Sequence, residues 1–169
     1  PDEVDPFDRE EIDAILSTHT DKIQELHLAQ FMIWTGPRVS EAIALAWEDV
    51  DLKAGTVRFR RGQVRGVYKV TKNRRSNREV RLLKPALQAL MAQAIHTQKS
   101  KPVEVEILDR DNKTRKRQTL RFVFHCSSTG AAHSSSDALL KGFWRPHLAA
   151  ADVRYRGPNN CRHTYASQL

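Results

Sequence analysis

The spacing of apolar positions divides the chain into helix-forming and strand-forming stretches. Asp8, with Glu11 three residues later, predicts a capped helix start, and Ile12, Ile15 and Leu16 then share one face of a short amphipathic helix. From Thr20 to Trp34 the apolar residues Ile23, Leu26, Leu28, Phe31, Met32 and Ile33 spread around much of the circumference, which predicts a helix central to the core and ended by Gly36. Pro37 suits the first turn of a new helix, because the N–H it lacks would have no intrahelical partner there. Arg38 therefore falls at a sharp helix–helix corner, followed by a helix carrying Ile43, Ala46, Trp47 and Val50 and ending near Asp51.

The period then changes to two. Val57 and Phe59 alternate with Arg58 and Arg60, Tyr68 and Val70 with Lys69 and Thr71, and Val80 and Leu82 with Glu79 and Arg81, which predicts a three-stranded antiparallel sheet. Pro85 opens a helix with Leu87, Leu90, Met91, Ala94 and Ile95 as its buried stripe. A second β-hairpin follows: Val103, Val105 and Ile107 alternate with Glu104 and Glu106, the turn lies in Asp109 to Thr114, and Leu120 to Phe124 returns. Ser127 to Ser136 reads as a loop, a helix from Asp137 breaks at Pro146, and a last helix begins after Pro158. The expected fold class is α+β and mainly helical. Residues 1–7, with two prolines and several acids, read as a linker, so one domain covers 8–169. The last helix stops with no Gly, Asn or basic cap, which predicts a domain cut off inside that helix.

Composition narrows the class. The 169 residues are 40% hydrophobic and 28% charged, enough for one hydrophobic core. No apolar run approaches the ~20 residues of a membrane span, and nothing at the start resembles a secretory signal. Cys126 and Cys161, far apart in sequence, suit a reducing cytoplasm better than a disulfide framework. The net charge of +8 is unevenly spread: residues 1–55 hold 4 Lys/Arg against 13 Asp/Glu, and residues 56–169 hold 24 against 7. Between Thr56 and Lys84 eleven Lys/Arg face a single acid, Glu79, which suits a surface that meets phosphate or else a solvated charged face.

Three blocks carry a resemblance. "TGPRVSEAIALAWEDVDL" (35–52) presents an arginine at a helix corner, a glutamate three residues later and a W-x-D-V-D ending; "VTKNRRSNREVRL" (70–82) reads as a hairpin bearing a lysine; "NNCRHTYASQL" (159–169) is a second arginine box. Together, and in this order, they resemble the catalytic domain of tyrosine recombinases, the phage integrases. The resemblance implies site-specific DNA recombination, with attack of a tyrosine on phosphate, a 3′-phosphotyrosyl intermediate and re-ligation by a 5′ hydroxyl. It also implies double-stranded DNA as partner, a homotetramer on DNA and a cytoplasmic, bacterial or phage-encoded protein. Neither metal nor nucleotide cofactor is implied, since the covalent link conserves the phosphodiester energy.

By the same resemblance Arg38 and Arg162 clamp the scissile phosphate. Guanidinium groups stay charged and offer a planar fork that stabilises charge building on the non-bridging oxygens. Lys72 matches the general acid for the leaving 5′ oxygen, with Lys69 as competing candidate on the opposite hairpin face. Asn159 stands where the family usually has histidine; it can donate to a phosphate oxygen but cannot shuttle a proton at neutral pH, and it serves equally as a helix N-cap. Glu41 is expected to orient the Arg38 guanidinium and His163 to support the site by hydrogen bonding. Arg58, Arg60, Arg74, Arg75 and Arg78 are the expected DNA-backbone contacts. His125, Cys126 and His133 lack a fourth ligand at zinc-like spacing. The family's nucleophile is absent, as Tyr68, Tyr155 and Tyr165 do not lie beyond the second arginine box as the pattern requires. The rival reading is a non-catalytic DNA- or RNA-binding module built on the basic hairpin, and a relaxing topoisomerase shares the same boxes.

Overall fold

A computed structural model describes residues 4–71 and 79–168. The first helix, α1 (Arg9–Ser17), starts at the expected capping box: the Glu11 N–H donates to the Asp8 carboxylate at 2.8 Å, and the Asp8 N–H to that of Glu11 at 3.1 Å. Ahead of it residues 4–7 have no regular structure, yet Phe7 is only 1% exposed and meets Trp144 edge-on with ring centroids 5.9 Å apart. Helix α2 (Ile23–Ile33) is the central one, as its all-round apolar pattern predicts. Phe31 packs on Phe59 and Phe124, and buried Glu25 accepts the Ser127 N–H at 3.1 Å and its hydroxyl at 2.5 Å, which pins the serine-rich loop.

Helix α3 (Val39–Ile43) is shorter than its periodicity predicts. Leu45 to Trp47 are drawn instead into pairing with a distant segment: the Trp47 N–H donates to the Arg121 carbonyl at 2.8 Å and the Val123 N–H to that of Leu45 at 2.9 Å. Trp47–Asp49 then form a single 3₁₀ turn leading into strand β1 (Val50–Asp51). Long-range backbone bonds thus override a local helical pattern.

The expected three-stranded antiparallel sheet is present, with one different member. It runs β1, β2 (Thr56–Arg58), β5 (Glu79–Arg81), with Val57 opposite Val80. The strand containing Tyr68, β4 (Val67–Val70), belongs to a second sheet. It pairs antiparallel with β3 (Arg61–Val64) and parallel with β6 (Val103–Leu108), which pairs antiparallel with β7 (Arg115–Leu120). The second hairpin is therefore built into a four-stranded mixed sheet. Its return strand begins at Arg115, directly after the turn, rather than at Leu120.

Helix α4 (Lys84–Thr97) carries Pro85 in its first turn, as expected, but buries a rotated stripe of Ala86, Ala89, Leu90, Gln93 and Thr97, leaving Met91 and Ile95 exposed, the latter at 87%. The reason lies in the carbonyl of Val123, which takes a hydrogen bond from Gln93 at 2.9 Å and one from Thr97 at 2.6 Å; Gln93 also meets His27 at 2.8 Å. Satisfying these buried polar groups outweighs burying two more apolar side chains.

The helix from Ser136 does not break at Pro146. It runs through α5 (Ser136–Leu139), one wider turn (Leu140–Trp144) in which the Arg145 N–H donates to Leu140 five residues back, and α6 (Arg145–Ala150). An α-helical residue 146 would donate to the Gly142 carbonyl; proline cannot, and Lys22 Nζ donates to it at 2.6 Å. The last helix, α7 (Asn160–Gln168), packs against α2.

Candidate phosphate-binding site

The corner between α2 and α3 is shaped by Gly36, whose φ of +74° turns the chain while its N–H closes on the Met32 carbonyl at 2.9 Å. Pro37 follows, and Arg38 sits exposed in extended conformation as the N-cap of α3. Glu41 acts on the backbone: its carboxylate accepts the Arg38 N–H at 3.0 Å, the bond that fixes how the arginine leaves the corner. The expected partner, the guanidinium, is not the group it binds there.

Helix α7 approaches this corner directly. A methyl group on Gly36 would lie 2.5 Å from Cδ1 of Tyr165, so the glycine backbone rests against that ring. Arg162 lies one turn before Tyr165 on the same helix and is exposed. The fold therefore brings the two arginine-bearing segments, 124 residues apart in sequence, into one neighbourhood. Asn159 is exposed in the turn before α7, and its carbonyl accepts the Arg162 N–H at 3.1 Å. Its neighbour Asn160 is buried and accepts the Asp5 N–H at 3.3 Å. His163 is half-buried beside Arg162, and Thr164 is fully buried, taking the Phe7 N–H at 2.9 Å and donating to the Asn160 carbonyl at 2.7 Å.

The N-terminal segment is also held by charge, against the stretch of chain that precedes α7. Arg156 forms ion pairs with Asp5 and Glu11 and lies over the Phe7 ring at 4.7 Å, while Arg154 reaches Asp5 at 2.7 Å. Hydrogen bonds from Arg154 and then Arg156 bring the Asp5 carboxyl down to about 2, and the bond from Arg156 lowers Glu11. Cys161, on the inner face of α7, has its thiol pushed up to about 12 by burial.

Beneath α3 lies an ion pair that composition did not single out. Arg61, 4% exposed, donates from Nη1 to Asp49 Oδ2 at 2.7 Å and from Nη2 to Oδ1 at 3.1 Å, and a further bond reaches the Ala44 carbonyl at 3.1 Å. Asp49 also accepts the Ala46 N–H at 3.0 Å, closing the 3₁₀ turn. Arg60, expected as a DNA contact, places its Nε 3.4 Å from the same carboxylate, and Arg58 is half-buried on β2. Strand parity held the missed signal: Val57, Phe59, Arg61 and Gln63 are all buried, so the inward-facing series continues past the apolar residues. Gly62 lies beneath Ser40, where an added methyl would be 3.4 Å from its hydroxyl oxygen, and this seats α3 on β3.

Lys72, Arg74, Arg75 and Arg78 lie outside the described residues. The rival lysine, Lys69, donates to the Asn112 side chain. His133 is buried, which lowers its pKa, as partial burial does for His125; among the described residues no cluster of three or more His, Cys, Asp or Glu is arranged to hold a metal. No helix among them is long and apolar enough to cross a membrane.

The model of the phage integrase family matches residues 4–169. The chain is 33% identical to the prophage integrase IntR of Escherichia coli (strain K12) over 98% of its own length, and 31% identical to the putative defective protein IntQ of the same strain over 96%. It spans 40% and 42% of those two relatives. Its fold matches the Tn1549 transposon integrase in complex with transposon right end DNA, with a TM-score of 0.71 at 17% identity over 100% of this chain and 54% of that one.

Proposed function

The chain belongs to the phage integrase family, and on that premise we propose that it is the part of a site-specific tyrosine recombinase that grips the scissile phosphate of duplex DNA. The observation carrying this reading is the contact of Gly36 with Tyr165, which draws the Arg38 corner and the Arg162 helix together although nothing local links them. Arg38 and Arg162 bind the non-bridging oxygens and stabilise the charge that builds on them as the phosphorus becomes five-coordinate. Lys72 protonates the departing 5′ oxygen; Lys69, engaged with Asn112, is the weaker candidate. Asn159 donates a hydrogen bond to the phosphate without exchanging its proton, His163 supports the arginine helix, and Arg58, Arg60, Arg74, Arg75 and Arg78 meet the DNA backbone.

None of the three tyrosines acts as nucleophile in this reading. Tyr68 stacks on Phe122 at 5.1 Å, Arg145 lies over the Tyr155 ring at 4.6 Å, and Tyr165 packs on Gly36. The attacking tyrosine belongs to sequence outside these 169 residues, and the assembled recombinase acts as a homotetramer on its DNA. The test is a nicked duplex incubated with the recombinase that carries this domain. A covalent protein–DNA adduct that falls at least a hundredfold with Arg38→Ala or Arg162→Ala supports the reading. Adduct yield indifferent to both changes overturns it.

A further inference from the structure

The arm formed by β6 and β7 has a surface that the phosphate site does not use. Residues 110–119 are all exposed, and they hold five cations, Arg110, Lys113, Arg115, Lys116 and Arg117, against the single acid Asp111. The apolar contacts of the hairpin are made by Ile107, opposite Lys116, and by Leu120 and Phe122, so burial accounts for one face of it and not for the exposed cations of 110–119.

The turn end of the hairpin is held in place. Asp111 closes the turn by accepting the N–H groups of Lys113 and Thr114 at 2.8 and 2.7 Å. Arg110 Nε donates to the Thr71 carbonyl at 3.2 Å, and Lys69 donates to Asn112. The turn is thereby fastened at the end of β4 where the Thr71 N–H meets the Arg60 carbonyl at 3.2 Å. At that end β3 begins, and Gly62 lies under Ser40, two residues from Arg38. The basic arm and the candidate phosphate site therefore share one edge of the molecule.

We propose that the β6–β7 arm is a second contact to the backbone of the same duplex, made by Lys113, Arg115 and Lys116 to phosphates flanking the one gripped at Arg38 and Arg162. This rests on the DNA-binding reading above. With β6 paired to β4 at Ile107 and Leu108, β7 is the outer strand of the four-stranded sheet there, and its cations and those of the turn lie along that open edge, where they can reach successive backbone phosphates. The acids on the arm do not oppose this. Arg115 pairs with Glu106 at 3.1 Å and Lys116 with Asp109 at 3.8 Å, in exposed positions where such pairs contribute little and exchange readily for phosphate.

The test compares duplex binding by the unsubstituted chain, by Lys113→Ala/Arg115→Ala/Lys116→Ala, and by a control of equal charge loss, Lys53→Ala/Lys99→Ala/Lys141→Ala, across a salt series. The arm variant is expected to bind about tenfold or more weakly at low salt and to flatten the log–log salt slope by ~2–3, near 0.9 for each phosphate left unneutralised. Its thermal midpoint should be unchanged, since all three residues are exposed, and the control should retain most of the slope. Equal losses in both variants, or an arm variant that binds like the unsubstituted chain, overturn the inference while leaving the phosphate site standing. Absence of binding by the unsubstituted chain at low salt overturns the DNA-binding reading and the inference with it.

Discussion

Gly36 rests against the ring of Tyr165, so that the turn presenting Arg38 and the helix presenting Arg162 are set by one contact. The position tolerates no side chain on two counts. Its φ of +74° disfavours any L-residue, and a methyl group would overlap Tyr165 Cδ1. Gly36→Ala is expected to destabilise the fold by roughly 2–4 kcal/mol, combining the left-handed penalty with overpacking. Urea denaturation measures this, and Tyr165→Ala in the same chain should recover the overpacking part alone. A Gly36→Ala protein as stable as the parent would show that the contact does not constrain the corner.

The ion pair of Asp49 with Arg61 predicts an asymmetry. Asp49→Ala strands a guanidinium that is 4% exposed and opens the 3₁₀ turn, at a cost of roughly 3–5 kcal/mol. Replacing both partners, Asp49→Leu with Arg61→Met, is expected to cost much less, because no buried charge is left alone. Equal losses for the single and double variants in chemical denaturation would contradict this.

Docking of the N-terminal segment should depend on acid pH. The folded-state pKa of Asp5 is depressed from 3.8 to about 2, so its contribution is fully present above the ordinary value and is lost as pH falls through that interval. Trp144 fluorescence, which reports on the Phe7 contact, should change between roughly pH 4 and pH 2. In Asp5→Asn that transition should be weakened; a transition of the same size would assign it to other carboxylates.

Tyr165→Phe keeps the ring against Gly36 and removes only the hydroxyl. Duplex binding by the chain and adduct formation by the recombinase carrying it are both expected within about twofold of the parent, a change under 0.5 kcal/mol. Loss of the adduct with binding intact would make Tyr165 the attacking group and displace the reading given above.

Much of the molecule was legible in the residue order. The capping box of Asp8 and Glu11, Pro85 in the first turn of α4, the all-round apolar character of α2 and the Gly-Pro corner before Arg38 follow from interactions within a few residues of each other. Local physics decides such features, and resemblance to the phage integrase family singles out Arg38 and Arg162 as candidates.

What only the tertiary structure decided involves partners far apart in the chain. Residues 45–47 leave the helix because residues 121–123 offer backbone bonds, and Gln93 displaces Met91 from the buried face because the Val123 carbonyl needs donors. Tyr68 joins the second hairpin because the edge of β6 is there to receive it, and Arg61 goes inward because Asp49 meets it. The approach of the corner before Arg38 to the helix that carries Arg162 is of the same kind. A sequence names candidate residues for a site, but distance in space is settled by packing, here by a glycine small enough to let a tyrosine ring lie against the chain.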